Sequence, residues 1–322
     1  MKKQAERAII NMRDKCGREI SYLRISVTKR CNLNCSYCGS KKVSAETELT
    51  IPEITAITKA LAEKGITKVR LTGGEPLVRE DLCDVAREIK KIPGIKELYV
   101  TTNGILLKEK AKALKEAGVD GVNISLDTLD KNIYKSLTGT DKLSEVLDGI
   151  DEALNTGFAS VKINSVLVKG KNENEAEKLI GLAKDKPLDV RFIELMPFSG
   201  QGEKEKLVVT ENELLEKFPF LVPCNSEEAS AAKYFTAKDF CGRVGFISPR
   251  SHKFCNKCNR IRLLSDGKLK PCLGNDTVFD IRPFIGNIEL LSEKIEEIIY
   301  NKPVSHHFED GDNFRGLNLI GG

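Results

Sequence analysis

The sequence predicts an α/β chain: an open, partial (β/α)6 barrel of the TIM-like kind, followed by a smaller C-terminal capping domain. Three observations predict it. Short β-rich runs alternate with longer amphipathic stretches from Tyr22 to Ile193, glycines stand where several of those stretches end, and polar or flexible residues gather just after the β-rich runs. Such alternation is the pattern of repeated βα units around a parallel sheet, whose functional groups lie at the C-terminal ends of the strands. At 322 residues the chain is one large domain or two modest ones, and it can bury about three-quarters of its unfolded surface.

Strands are expected at Tyr22–Val27, Lys68–Thr72, Glu97–Thr101, Gly121–Ser125, Val161–Val168 and Leu188–Ile193. Between them, apolar residues recur at three- and four-residue intervals in Ile54–Glu63, Leu82–Lys91, Leu106–Ala117, Leu143–Asn155 and Glu173–Lys184, the period of a helix with one buried face. Gly65, Gly118 and Gly157 follow three of these helices, where a left-handed C-terminal cap favours glycine. Six right-handed units leave a barrel open on one side, whereas eight would close it. From Ser199 the character changes. A helix at Glu211–Phe218, a β-rich Arg243–Ile247 and a helix at Leu290–Tyr300 form the expected cap, which should cover the gap and bring its own cysteines to the barrel mouth. The domains are thus an N-terminal extension at 1–20, the barrel at 21–198 and the C-terminal domain at 199–322.

Composition excludes several classes of function. With 51 basic and 47 acidic residues interleaved along the chain, the net charge is only +4, so the concentrated basic face of a nucleic-acid binder is not expected. The first twenty residues carry Glu6, Asp14 and Glu19 and no long apolar core, and no run approaches the ~20 apolar residues of a membrane span. A cytoplasmic protein without a membrane partner is expected.

The ten cysteines are more informative. Cys31, Cys35 and Cys38 form a C-x3-C-x2-C triplet, and Cys255, Cys258 and Cys272 a C-x2-C-x13-C triplet; Cys16, Cys83, Cys224 and Cys241 stand alone and are expected to be small half-buried hydrophobes. Disulfides fit odd-numbered groups poorly. Zinc suits the second triplet, since His252 lies just before Cys255 and Cys3His is a common structural site. The first has no fourth ligand nearby. Three thiolates on a cubane iron–sulfur cluster would leave one iron open to a substrate or cofactor. Other polar signals follow the strands: Thr72-Gly73-Gly74-Glu75-Pro76, Thr101-Thr102-Asn103-Gly104, Ser125-Leu126-Asp127 and Glu194-Leu195-Met196-Pro197. A helix N-cap would explain Ser125, Asp127 and Thr102 equally well.

With the first triplet after strand one and Gly-Gly-Glu-Pro after strand two, the chain resembles the radical S-adenosylmethionine (SAM) superfamily. Within it the chain is similar to the GTP 3′,8-cyclases of molybdenum-cofactor biosynthesis, the MoaA family, over nearly its whole length. The marks are Tyr22-Leu23-Arg24-Ile25-Ser26-Val27-Thr28, Arg70-Leu71-Thr72-Gly73-Gly74-Glu75-Pro76-Leu77, Arg191-Phe192-Ile193-Glu194-Leu195-Met196, Asn259-Arg260-Ile261-Arg262 inside the second triplet, and the terminal Ile320-Gly321-Gly322.

The resemblance implies two [4Fe–4S] clusters facing one cavity: a SAM cluster on Cys31, Cys35 and Cys38, and an auxiliary cluster on Cys255, Cys258 and Cys272 whose open iron takes the guanine base. It implies SAM contacts at Tyr37, Gly74, Ser125 and Met196, and GTP contacts at Arg24, Arg70, Thr101, Lys162, Arg260 and Arg262. The reaction implied is abstraction of the C3′ hydrogen of GTP by a 5′-deoxyadenosyl radical, then closure of C3′ onto C8. The same resemblance gives Arg260, Arg262, Gly321 and Gly322 catalytic roles, the glycines on a tail that enters the cavity. It further implies a low-potential electron donor and cyclic pyranopterin monophosphate synthase as the next enzyme, and it allows a homodimer. Lys29 departs from the family's usual aspartate, and Gly39-Ser40 from its Met-Pro. Two other readings compete: a peptide-modifying radical SAM maturase with an auxiliary cluster, and a non-enzymatic regulatory protein with zinc at His252.

Overall fold

The structure is a computed structural model that describes residues 12–38, 48–198, 204–225 and 231–308. Six βα units run as expected. Strands β1 (Tyr22–Ser26), β2 (Lys68–Thr72), β3 (Glu97–Thr102), β4 (Gly121–Ser125), β5 (Ser160–Val166) and β6 (Asp189–Ile193) pair in sequence order, all parallel. Helices α1 (Ile51–Glu63), α2 (Leu82–Lys90), α3 (Leu107–Glu116), α4 (Lys131–Thr138), α5 (Leu143–Asn155) and α6 (Ala176–Asp185) connect them. Thr50 and Glu53 close a capping box at the start of α1, and Gly65, Gly118 and Gly157 hold the positive φ of the predicted caps. The expected Glu173–Lys184 helix divides into a 3-10 turn at Glu173–Glu175 and α6.

The C-terminal segment joins the same sheet at both edges. It adds α7 (Glu211–Lys217), β7 (Val222–Cys224), β8 (Lys233–Thr236), β9 (Arg243–Ile247), β10 (Arg260–Leu263), β11 (Lys268–Lys270), β12 (Phe279–Asp280) and α8 (Ile288–Tyr300). The strand order is β12-β11-β10-β1-β2-β3-β4-β5-β6-β9-β8-β7, with β10 parallel to β1 and β9 parallel to β6. Antiparallel β11 and β12 extend one edge and antiparallel β8 and β7 the other; Pro223 sits in the last of these, where a strand without a ladder donor is tolerated.

This topology corrects one expectation. Cys258 precedes β10, which runs alongside β1, and Cys272 follows β11, which runs back. Both therefore lie at the end from which the parallel strands start. The first triplet leaves β1 at the opposite end, the barrel mouth. The second cysteine site closes the bottom of the barrel instead of its mouth, separated from the mouth by the ~17 Å depth of a five-residue strand.

The apolar core lies between sheet and helices. Leu23, Ile25, Val69, Leu71, Leu98, Val100, Val122, Ile124, Ile163 and Val190 alternate along the strands, and all are fully buried in one cluster with the inner faces of the helices. The intervening residues face the barrel interior. Gly74 shows how tightly the mouth is built: a Cβ there would stand 2.2 Å from the Arg30 carbonyl and 2.7 Å from that of Lys29. Gly181, inside α6, has nothing within 4 Å. Gly74→Ala is expected to destabilise the protein by about 2 kcal/mol or more, whereas Gly181→Ala should stabilise it by about 0.5–1 kcal/mol. Denaturant midpoints of the two variants check both.

Candidate active site

The interior face of the barrel carries guanidiniums. Parallel pairing sets Arg24 opposite Arg262 on one side and Arg70 on the other, while Tyr22 stands opposite Arg260 and Lys68. Thr101, Asn123 and Lys162 face one another across β3, β4 and β5, and Asn164, Arg191 and Gly245 across β5, β6 and β9. Gly245 makes room, since a Cβ there would touch the Arg191 side chain at 3.0 Å.

These cations are held mainly by neutral partners. Arg70 donates to the Tyr22 hydroxyl and, at 3.3 Å, to Thr101 Oγ1, and its guanidinium lies 5.0 Å from the Tyr99 ring. Arg191 grips Asn164 Oδ1 at 2.6 and 2.9 Å, and Arg260 stacks 5.4 Å from the Phe254 ring. Lys162 reaches the Tyr234 hydroxyl at 3.4 Å and Asp189 at 3.6 Å, but Arg243 already holds Asp189 through two bonds of 2.9 and 2.8 Å. Burial and then Arg262 push Arg24 well down, and burial and then Arg260 bring Arg262 to about 10. Burial alone would raise the Tyr22 phenol; Arg70, Arg24 and Arg260 outweigh it and bring it to about 7. Asn123 Oδ1 is buried without a hydrogen bond. Such an assembly of like charges fits a polyanion, which guanidinium forks grip in pairs of oxygens.

At the mouth, the first triplet is tied down from four sides. Gly74 and Glu75 donate their N–H groups to the Thr28 and Arg30 carbonyls at 2.8 Å. Asn103 donates to Asn32 at 2.7 Å, Tyr37 donates to Asp127, and the Asn34 and Ser36 amides reach the end of α4 at Thr138 and Leu137. Glu75, buried, accepts from Asn103 N, Thr102 Oγ1 and Leu77 N; burial raises its carboxyl to about 7. Burial, then Asp127, Cys38 and Cys31 push the Cys35 thiol far up. Burial raises the Cys31 thiol as well, so both stay protonated until a bound cation such as an iron cluster draws off their protons.

At the bottom, Cys255, Cys258 and Cys272 are half-buried, free thiols. Burial opposes ionisation of Cys258, but Lys302 and Arg260 outweigh it and lower its thiol. His252 turns instead to Ser251 and Glu211, each at 3.4 Å, so the Cys3His set of the competing zinc reading is not assembled. Among the described residues no three Cys, His, Asp or Glu side chains converge as ligands of one ion. Ligands that each hold a different iron of one cubane need no such convergence.

The remaining predicted residues fall as follows. Tyr37 packs with Val168, Leu195 and Val208, Met196 with Phe198, Leu264 and Phe308, and Ser125 ends β4 half-buried at the mouth. Gly74 makes its close approach to the protein's own cysteine loop. The N-cap readings give way: Asp130 caps α4, Thr102 accepts from Gly104 N and donates to Glu75, and Asp127 accepts from Tyr37 and Val166 N. Lys29 pairs at 3.0 Å with Asp266, so the departure from aspartate is met by an opposite charge after β10. Gly39, Ser40, Gly321 and Gly322 lie outside the described residues. Lys68, Asn123 and Asn164 had not been singled out. Their signal was the two-residue alternation of polar and fully buried apolar residues in each strand.

Comparison with known proteins agrees with this architecture. Residues 25–183 match the Radical SAM superfamily and residues 188–308 match Molybdenum Cofactor Synthesis C. The chain is 43% identical over 314 residues to the GTP 3′,8-cyclase of Clostridium acetobutylicum, covering 96% of this chain and 98% of that one. It is 45% identical over 321 residues to the GTP 3′,8-cyclase of Alkaliphilus oremlandii, covering 97% and 100%. In fold it resembles Streptococcus suis SuiB bound to S-adenosylmethionine, with a TM-score of 0.62 at 16% identity, over 88% of this chain and 66% of that one. No helix among the described residues is long and apolar enough to cross a membrane. On full-length similarity to those two cyclases, and with a radical SAM half joined to a molybdenum-cofactor half, the chain belongs to the GTP 3′,8-cyclase family of the radical SAM superfamily.

Proposed function

We propose that this chain is a GTP 3′,8-cyclase, which uses SAM to convert GTP to (8S)-3′,8-cyclo-7,8-dihydroguanosine 5′-triphosphate, the first step of molybdenum-cofactor biosynthesis. The observation that carries the reading is the cationic interior, with Arg24, Arg70 and Arg262 in register between a cysteine triplet at the mouth and another at the bottom. When bound, a reduced [4Fe–4S] cluster on Cys31, Cys35 and Cys38 supplies the electron for reductive cleavage of SAM, and a second on Cys255, Cys258 and Cys272 offers the guanine an anchoring iron.

The chain's own residues then perform binding and orientation. Arg24, Arg70, Arg260, Arg262 and Lys162 grip the triphosphate, with Thr101 and Tyr22 already aligning Arg70. Their position on the strands, between the triplets, holds the sugar where C3′ can face the mouth and the base where it can face the bottom. Tyr37, Gly74, Ser125 and Met196 border the mouth and are assigned to SAM. Glu75 and Asp127 touch neither ligand in this scheme; they fix the loops that do. Catalysis of this kind is positioning, which converts reactive encounters into an intramolecular step. Gly321 and Gly322 are assigned to a tail that supports turnover. A low-potential electron donor, cyclic pyranopterin monophosphate synthase as successor and a cytoplasmic setting belong to the same proposal.

Anaerobic incubation with SAM, GTP and dithionite tests it: 5′-deoxyadenosine and a cyclised nucleotide are expected together, and the first without the second would remove GTP as substrate. Arg70→Met should weaken GTP binding about ten- to hundredfold, as for loss of hydrogen bonds worth about 1.5–3 kcal/mol to a charged group. The Tyr22 phenol, brought to about 7 by its arginines, gives a pH signature. A bound polyanion draws on those arginines and raises the phenol again, so the complex holds more protons than the free protein. Affinity must therefore fall as pH rises through about 7, by up to tenfold per unit for one proton. Calorimetric GTP titrations from pH 6 to 9 should show Tyr22→Phe losing this component; parallel curves would exclude it.

A further inference from the structure

We propose that Lys302 is a positioning residue of the bottom cysteine site, where its buried ammonium offsets the negative charge of the cluster on Cys255, Cys258 and Cys272. The inference rests on the second-cluster assignment above. Lys302 follows α8 and is 2% exposed. Its Nζ donates to the carbonyl of Arg260, two residues after Cys258, at 2.9 Å, and to that of Pro271, the residue before Cys272. Both carbonyls satisfy N–H groups, yet neither cancels a full charge.

No carboxylate pairs with Lys302 among the described residues. Arg18, close by, is different. Its Nε meets Asp14 at 2.6 Å, and its other nitrogens donate to the Cys255 carbonyl at 2.8 Å, Val304 at 2.9 Å and Pro303 at 2.6 Å. Arg18 thereby pins the Lys302 segment to the backbone of the first ligand with its own charge already balanced. Lys302 is thus a buried cation with no carboxylate beside it among the described residues, an arrangement that is costly unless an anion adjoins it. On the proposed assignment that anion is the thiolate-held cluster, since the two carbonyls Lys302 holds belong to the residue two after Cys258 and the residue just before Cys272. A cubane on three thiolates is anionic and becomes more so on reduction, so a fixed cation beside it favours the reduced state.

The test uses the full-length chain with Cys31→Ala, Cys35→Ala and Cys38→Ala, so that iron occupies the bottom site alone. Lys302→Gln keeps a hydrogen-bond donor without the charge, and Lys302→Arg keeps the charge. After anaerobic reconstitution, iron per chain is counted and the cluster is titrated against redox mediators by electron paramagnetic resonance. At a fixed poise, Lys302→Gln should lower the ratio of reduced to oxidised cluster about tenfold, equivalent to 59 mV for one electron, while Lys302→Arg stays near the parent. Should Lys302→Gln take up no iron, full loading of Lys302→Arg supports the charge role, and failure of both overturns it in favour of packing. An intact Lys302→Gln cluster with an unchanged ratio overturns it also, as does Lys302→Arg shifting as far as Lys302→Gln. If the parent itself binds no iron, the second-cluster assignment fails and this inference falls with it.

Discussion

The interior depends on one register. Because β10 runs parallel to β1 with Arg262 beside Arg24, and β2 runs parallel on the other side with Arg70 beside Arg24, three guanidiniums share one level of the sheet. Two like charges one strand spacing apart, ~4.8 Å, repel by about 3 kcal/mol at an effective dielectric of 20. The strands withstand this because their other face is apolar without exception over the same levels: Leu23, Ile25, Val69, Leu71, Ile261 and Leu263 are fully buried. Each such side chain contributes about 1.5–3 kcal/mol. The sheet thus holds a repulsive inner face by means of its outer one, and the repulsion is relieved when a polyanion arrives.

The same division of labour explains the two ends. Glycine at position 74 lets the second βα loop lie directly on the backbone that leads into Cys31, and Glu75 then fastens that loop to β3 through Thr102 and Asn103. At the bottom, Arg18 and Lys302 spend their donors on carbonyls beside the cysteines. In both places buried charge organises backbone around thiols. Buried ionic groups of this kind add little net stability, but removing one partner leaves the other costly, so the geometry is held firmly.

The first six strands were legible because each has several residues alternating between buried and inner positions and is bounded by a turn or helix signal. The helix at Lys131–Thr138 escaped notice although its signals are present: Asp130 accepts from its first amides, and Gly139 ends it at positive φ. The short strands of the C-terminal segment are a different case. Arg-Ile-Arg-Leu spans four residues, Lys-Leu-Lys three and Phe-Asp two, too few for a period to stand out. The first of them exists by pairing with β1, more than two hundred residues away, and the other two add to it in turn; only that distant pairing decides that Cys258 and Cys272 lie at the bottom. The cysteine triplets and the arginines are visible in the sequence as groups, whereas the end of the barrel that each triplet occupies is not.

The position of Lys29 bears on how those ends communicate. It precedes the first cysteine loop, and it pairs with Asp266, in the turn between β10 and β11 that also receives Lys268. Leu49 donates to the Ser265 carbonyl in that same turn at 2.7 Å, and Arg282 holds Glu53 at the start of α1 through two bonds of 2.8 and 3.1 Å. The hairpin flanked by the bottom cysteines at one end is therefore anchored at its other end to the loop that carries the mouth cysteines. Burial lifts the Asp266 carboxyl, but Lys268 and Lys29 outweigh this and hold it below its usual range, so the pairing persists through neutral pH. Aspartate in place of Lys29 would face Asp266 as a like charge, which ties the identity of residue 29 to that of residue 266. A departure that looks like a fault in the first motif is, in three dimensions, half of a charge pair joining the two halves of the chain.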